Sequence, residues 1–591
     1  MNKQECDILK ILVNHPYVSQ RALSEASCYS LGVVNRSVNK LKSEGYLDEK
    51  ERLTKKALNE LQAKSPRNAI ILAAGFGLRM IPINTERPKA LIEVNGEILI
   101  ERIIRQLHEN HIFDISIVVG FMKEKFDYLI EKFGVELIVN EEYASKNNLH
   151  SLSLASHRMS NSYIVPCDIW CRNNPFDKHE LYSWYMVTNE ENIKSEVRVN
   201  RKEELVSVPI NVSGNTMVGI AYVTEDVSVR LREKLALYDN NILYHNCFWE
   251  KILYDNHKMM VYANVIGAAE ALEINTYEQL RAIDENSEHL KSDAIRIIAK
   301  VFCVPEFEIV DITTLKKGMT NRSFLFTCKG EKYIMRIPGE GTDRLINRRQ
   351  EASVYQSIRK YNICDDIVYI NPDNGYKITR FVDHARVCNA KNIQDLRACM
   401  KKLREFHDLN LQVEHEFNIV EQINFYESLW NGQPSVFCDY ASTKKNVIML
   451  QKYIDAQKIQ KCLTHIDAVP DNFLFAPKQD GNEEVRLIDW EYAGMQDPHV
   501  DIAMFCIYAL YDRAHIDGLI DIYFETNCPN ETRIKIYCYI SMCGLLWSNW
   551  CEYKRNLGIE FGAYSLRQYG YAKEYFKIAT KEMEKTGFKY E

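Results

Sequence analysis

AIILAAGFGLRMIPINTERPKALIE, residues Ala69–Glu93, decides the fold. It opens on six apolar residues, Ala69–Ala74, the composition of a strand covered on both faces. Gly75 and Gly77 follow, then Arg79, and Lys89 after Pro88. Glycines leave backbone N–H groups open to a phosphate chain, and cations neutralise it. Ala73, Ala74, Gly75, Gly77, Arg79 and Lys89 are therefore the candidate nucleotide-binding set, with Arg79 and Lys89 as candidate catalytic cations. An ordinary strand-to-helix turn with surface cations shares only part of this pattern.

Outward from this stretch, Ile100, Ile103, Ile104 and Leu107 space out a helix. Ile115–Val119, Val135–Val139 and Tyr163–Pro166 read as further buried strands. Strands alternating with helices predict a doubly wound, parallel, Rossmann-like sheet with its ligand at the strands' C-terminal ends. Asp168 stands there, placed to hold Mg²⁺ against a nucleotide α-phosphate or to cap a helix.

The pattern LAAGxGxRM…PKAL resembles that of nucleotidyltransferases. Asn140–Leu154 (NEEYASKNNLHSLSL) and Glu273–Asp284 (EINTYEQLRAID) resemble segments of bacterial phosphocholine cytidylyltransferases. In many such relatives the second segment begins Glu-x-Asp, and its aspartate is a second metal ligand. Here the position is Asn275, a weaker ligand, so Glu273 takes over or solvent fills the place. The resemblance implies transfer of CMP from CTP to phosphocholine, with Trp170, Tyr244, Phe248 and Trp249 as aromatic faces for a trimethylammonium group or as ordinary core.

After the polar run Asp284–Ser292 a helical pattern restarts at Ile295, Ile298, Ala299 and Phe302. Leu315–Cys328 (LKKGMTNRSFLFTC) reads as strand, glycine turn, strand, placing Gly318, Thr320 and Asn321 over nucleotide phosphates. Arg336 on the next strand and Glu351 on the following helix complete the candidate set. Leu463–Phe475 (LTHIDAVPDNFLF) and Arg486–Tyr492 (RLIDWEY) resemble the catalytic loop and metal motif of aminoglycoside phosphotransferases and choline kinases. That resemblance implies a protein-kinase-like fold, ATP and Mg²⁺. Asp467 receives or orients the substrate hydroxyl, and Asn472 and Asp489 hold the metal. His465 and Asp501 are expected to brace the loop. Tyr492 matches a tyrosine that contacts choline, and Gly544–Phe576 also resembles choline kinases. Trp547, Trp550, Tyr564 and Tyr569 are then walls of an aromatic box, or helix packing. Animal choline kinases place a glutamate where Tyr508 stands, which leaves Asp467, Glu491 or the aromatics to balance the substrate's charge.

Residues 1–66 read as four helices with a small β-wing over Tyr46–Thr54, an order resembling a winged helix-turn-helix. Asn35, Arg36, Asn39 and Lys40 then face a DNA groove. Eleven basic residues stand against eight acidic ones, a small field for DNA, so packing on a neighbour or homodimerisation is equally open.

The 591 residues exceed one core and predict three domains, 1–66, 67–291 and 292–591: a multidomain α/β and α+β protein. A net charge of −7 excludes global attraction to nucleic acid or anionic membrane. The seventeen cysteines include no Cys-x-x-Cys pair, and no apolar run reaches membrane-spanning length. A charged N-terminus without a signal core completes the expectation of a cytoplasmic protein without membrane contact. Its expected partners are choline, ATP, CTP and phosphocholine. The expected product is CDP-choline, for phosphocholine decoration of surface glycans. Ethanolamine, a sugar, or a ligand-sensing regulator are the alternatives.

Overall fold

The computed structural model describes residues 1–83, 87–209, 211–315, 321–339, 342, 345–478, 480–556 and 561–588, the side chain of Leu78 excepted. The chain divides into two compact units, Met1–Ser292 and Asp293–Glu591.

The first unit begins with helices α1 (Lys3–Asn14), α2 (Gln20–Ser27), α3 (Leu31–Ser43) and α4 (Lys55–Lys64). Asn2 and Glu5 form a capping box on α1, Ser19 accepts from Ala22 N at the start of α2, and Thr54 caps α4. The wing shrinks to a single bridge, Leu47 to Leu53. The tip between them is held by Asp48 Oδ1, which accepts from the N–H groups of Lys50 (2.8 Å) and Arg52 (2.9 Å).

These helices do not form a free-standing bead. Leu181 and Tyr182, from the segment that follows, join their apolar core. Asp7 accepts from the hydroxyls of Tyr182 (2.7 Å) and Tyr29 (2.5 Å). Lys10 Nζ lies 2.8 Å from Glu180, a carboxylate only 2% exposed that also accepts from Tyr163 OH at 3.0 Å.

The rest of the unit is one mixed sheet. Its main strands are β1 (Asn68–Ala73), β2 (Asp114–Val119), β3 (Glu136–Val139), β4 (Ser162–Pro166), β5 (Trp184–Asn192), β6 (Val197–Val199), β7 (Glu204–Ser207), β8 (Gly214–Val223) and β9 (Lys258–Ile266), with the short Tyr254–Asp255 also paired to β9. The order is β3-β2-β1-β4-β8-β5-β9-β7-β6. The first four strands are parallel, and β8 runs antiparallel to β4. The parallel half is Rossmann-like; beyond β4 the sheet runs antiparallel except for the parallel pair β5–β9, where the sequence reading had only parallel strands.

Period-two alternation explains the apolar run of β1. Ile71 and Ala73 pack with Ile100, Ile103 and Ile104 of α5 (Leu99–Glu109). Ile70 and Leu72 face the other way, onto Leu149 and Leu152 of α6 (Asn148–Leu154) and Leu231 and Leu235 of α7 (Glu225–Asp239).

The second unit pairs a small sheet with a helical mass. Strands β10 (Val310–Thr314), β11 (Asn321–Cys328), β12 (Glu331–Pro338), β13 (Ile367–Ile370) and β14 (Lys377–Arg380) lie in the order β10-β11-β12-β14-β13, every pair antiparallel. Helix α8 (Arg348–Ile358) follows β12. The helical part holds α9 (Ile393–Asp408), α10 (Ile419–Ser428), α11 (Val500–Tyr508), α12 (Asn530–Asn556) and α13 (Ala563–Lys585). Most of α12 is buried, which explains the apolar run Tyr537–Trp547 in its middle without a membrane. No helix among the described residues is long and apolar enough to cross a membrane.

Candidate active sites

In the first unit, a cleft of about 560 Å³ opens at the C-terminal ends of β1 and β4. Ala73, Ala74, Gly75, Gly77, Arg79, Lys89, Asp168 and Asn275 all line it. Gly77 sits at φ +60°, and a Cβ there would come within 3.1 Å of Lys89 Cβ, so the loop needs glycine. Lys89 is buried, ion-paired with Asp168, and donates to Asn275 Oδ1 at 2.7 Å. Arg79 Nη2 donates to the same oxygen at 2.9 Å. Two cations and one carboxylate thus converge on a neutral amide. Cys167 lines the cleft too, and burial together with Asp168 pushes its thiol up to about 12, so it is no nucleophile.

The other expected residues lie elsewhere. Glu273 is exposed and absent from the cleft lining. Trp170 is capped by the Arg102 guanidinium, 5.1 Å from its ring; it lies on the short strand Ile169–Cys171, beyond the turn that carries Asp168. Trp249 is a core residue, 1% exposed, against Tyr185. Tyr244 stacks on Tyr238 at 4.0 Å, and Phe248 is 62% exposed. The aromatics at the cleft are instead Phe76 and Tyr143, 4.9 Å apart, with Phe121 behind Phe76 at 5.2 Å. Both were within reach of the sequence. Phe76 sits between the two glycines, and Tyr143 is inside NEEYASKNNLHSLSL.

In the second unit, Asp467 and Asp489 lie at the ends of strands β15 (Cys462–Thr464) and β17 (Glu483–Leu487), with β16 (Phe473–Pro477) between them in sequence. Asp489 holds φ +66°, a strained position for a residue with a side chain. Asn472 Nδ2 donates to the Asp467 carbonyl (2.9 Å) and to its carboxylate (3.1 Å). Burial, then the charges of Asp489 and Glu491, raise the Asp467 carboxyl well above the ordinary range. Burial and Glu491 push Asp489 up to about 7.

The scaffold under this loop is polar. Asp501 accepts from His465 N (3.0 Å) and Ile466 N (2.7 Å), and pairs with His407 Nε2 at 3.0 Å. His465 Nε2 lies 3.0 Å from the Ile488 carbonyl, and burial pushes its imidazole down to about 4. It is a neutral brace.

Arg336 meets Glu351 through two parallel contacts of 2.5 and 2.9 Å. Burial works against the Glu351 charge, but Arg336 holds its carboxyl below the ordinary range. Arg348 bonds Glu351 (3.0 Å) and Glu491 (3.2 Å), and Asn321 Nδ2 also donates to Glu491 at 2.9 Å. Glu491 is thereby committed to the protein, which removes it as counter-charge for a substrate. Gly318 and Thr320 lie outside the described residues.

The aromatics form a chain: Tyr492 to Trp547 (6.0 Å), Trp547 to Trp550 (5.4 Å), Trp550 to Phe561 (5.1 Å), Phe561 to Tyr564 (6.4 Å) and Tyr564 to Tyr508 (6.2 Å). Tyr569 is not in it. Its ring stacks on Phe437 at 3.8 Å and its hydroxyl is taken by Asp439 and Thr443. Tyr426 of α10 is a buried member of the same helical core, which Tyr492 and Trp547 also pack against. No group of three or more His, Cys, Asp or Glu side chains is arranged for a metal among the described residues.

Three family models match: winged helix-turn-helix DNA-binding over residues 1–48, MobA-like NTP transferase domain over 69–174, and choline/ethanolamine kinase over 312–542. A choline-phosphate cytidylyltransferase of Streptococcus pneumoniae is 32% identical over 221 residues, covering 37% of this chain and 96% of that protein. Protein LicA of Haemophilus influenzae is 25% identical over 264 residues, covering 42% of this chain and 96% of LicA. The solved structure of choline kinase LicA from Streptococcus pneumoniae superposes with TM-score 0.42 at 26% identity, over 49% of this chain and all of that one. The chain therefore belongs to the choline-phosphate cytidylyltransferase family, carried in one polypeptide with a choline/ethanolamine kinase unit, and it is a transferase twice over: a cytidylyltransferase and a kinase of the choline kinase kind.

Proposed function

We propose that the second unit phosphorylates choline with ATP and that the first joins the phosphocholine to CMP from CTP, releasing pyrophosphate and giving CDP-choline for decoration of surface glycans. One observation carries this reading. A kinase site and a cytidylyltransferase cleft share one chain, and the phosphomonoester that the first chemistry makes is the acceptor that the second consumes.

In the kinase unit the choline hydroxyl oxygen attacks the γ-phosphorus of ATP, the bond to the β-phosphate oxygen breaks, and ADP leaves. Asp467 takes the hydroxyl proton. Its raised affinity for protons suits that role. The Arg336–Glu351 pair fixes a guanidinium at the phosphates. In the transferase unit a phosphate oxygen of phosphocholine attacks the α-phosphorus of CTP in line. Lys89 and Arg79 neutralise the charge that develops as pyrophosphate departs.

Mg²⁺ fits both places. Asp489 with Asn472, and Asp168 with Asn275, are sparse sets of hard oxygen donors, the kind that hold Mg²⁺ together with substrate phosphates. When bound it neutralises the nucleotide's phosphate oxygens. The raised proton affinity of Asp489 marks a carboxylate crowded by negative charge, which a cation relieves.

For residues 1–66 the reading is duplex DNA. Asn35, Arg36 and Asn39 of α3 stay exposed while the opposite side of the module packs on Leu181 and Tyr182. Lys40 is already paired with Glu5.

The test is full-length protein with choline, ATP, CTP and Mg²⁺, read for CDP-choline. Ethanolamine and 2-aminoethylphosphonate are supplied in parallel as competitors. Preference for either of these over choline, or no CDP-linked product, overturns the substrate. A gel shift with duplex DNA tests the module separately.

A further inference from the structure

The aromatic chain of the kinase unit closes on itself. One end, Tyr492, follows Asp489 by three residues. The other end, Tyr508 at the C-terminus of α11, donates its hydroxyl to Asp471 Oδ2 at 2.6 Å. Asp471 precedes the candidate metal ligand Asn472 in the same loop as Asp467. One end of the aromatic run thus follows the metal motif, and the other is tied to the catalytic loop.

A cationic alcohol seated there needs a negative partner. Glu491 is held by Arg348 and Asn321. Asp501 is held by two backbone N–H groups and His407. Asp467 must stay free to receive a proton. Asp471 is different: it is exposed, and no lysine, arginine or histidine pairs with it among the described residues.

Resting on the choline reading above, we propose that Asp471, steered by Tyr508, is the counter-charge for the substrate's ammonium and sets the preference for a quaternary over a primary one. One carboxylate oxygen is already occupied by the Tyr508 hydroxyl. A primary ammonium wants several short hydrogen bonds, and this carboxylate has few to give. A quaternary ammonium wants only aromatic faces and a screened negative charge. The Tyr508 ring and its carboxylate supply one of each. This also accounts for a tyrosine where animal choline kinases carry a glutamate: the charge has moved to the neighbouring loop.

The experiment measures the kinase step of the full chain with choline and with ethanolamine, for wild type, Asp471→Asn and Tyr508→Phe. Asp471→Asn raises KM for choline roughly tenfold, with KM for ATP and CDP-choline synthesis from supplied phosphocholine unchanged. Tyr508→Phe keeps the ring, frees the carboxylate, and raises the ethanolamine-to-choline ratio of kcat/KM several-fold. A choline KM within twofold of wild type in Asp471→Asn overturns the counter-charge. An unchanged ratio in Tyr508→Phe overturns the steering. Wild-type protein that phosphorylates only uncharged alcohols removes the choline reading itself, a result recognisable before any variant is made.

Discussion

Lys89 and Asp168 form a buried ion pair that joins the loop after β1 to the residue beyond β4. The pair brings the glycine loop and the candidate metal carboxylate to one place before any substrate arrives. Replacing Lys89 by alanine leaves Asp168 without its cation and removes a charge aimed at the departing pyrophosphate. CDP-choline formation from supplied phosphocholine should fall by about 10²–10³. Choline phosphorylation by the same preparation should not change. Equal loss of both steps would instead point to collapse of the chain.

Asp467→Ala tests the other site. Loss of a general base costs about 10²–10⁴ in rate. Phosphocholine formation should drop by that factor, while supplied phosphocholine is still converted. Full kinase activity in this variant removes Asp467 from the chemistry.

Glu351 sits beneath two arginines, Arg336 and Arg348. Glu351→Ala strands both guanidiniums in a buried setting. Breaking such a pair costs about 3–5 kcal/mol, and the kinase unit should lose that much in urea unfolding. A loss below about 1 kcal/mol would mean that solvent reaches the pair.

Lys10 neutralises Glu180 across the seam between the helical module and the sheet. Lys10→Met should destabilise the first unit by about 3–5 kcal/mol, for the same reason. Deleting residues 1–66 also uncovers Leu181 and Tyr182. The truncated protein should melt earlier and aggregate, even though the cleft residues are all retained. A truncation with unchanged Tm contradicts the docking.

Burial raises the Glu250 carboxyl to about 7, from 4.5 when unfolded. Between those values the folded state binds the extra proton, so stability falls as pH rises. The shift amounts to roughly 3 kcal/mol between pH 4.5 and 8. Glu250→Gln removes that slope, so its Tm relative to wild type should climb from pH 5 to pH 8. Parallel curves would show that Glu250 stays ionised.

The backbone framework was readable because short-range rules settle it. Ala69–Ala74 is apolar at every position, and only a strand between two layers buries both faces. The glycine loop and the Asp467-to-Asn472 spacing are local in sequence, so they could be read without a fold. Aromatic walls could not. Trp249, Trp170 and Tyr569 are the right residue types, but which way a ring points depends on partners far along the chain, such as Arg102 and Phe437. Phe76 and Tyr143 stand inside legible motifs, but their meeting at the cleft is a long-range contact. The wing is present as one bridge, Leu47 to Leu53, with its tip held by the Asp48 carboxylate on the N–H groups of Lys50 and Arg52.

Arg79 and Lys89 converge on the uncharged amide of Asn275, with Asp168 as the one carboxylate lining the cleft among the described residues. An aspartate at 275 would have cancelled the second cation. Among the described residues Arg79, Lys89 and Lys146 line that cleft against one carboxylate, Asp168, so its balance is positive and favours a polyphosphate.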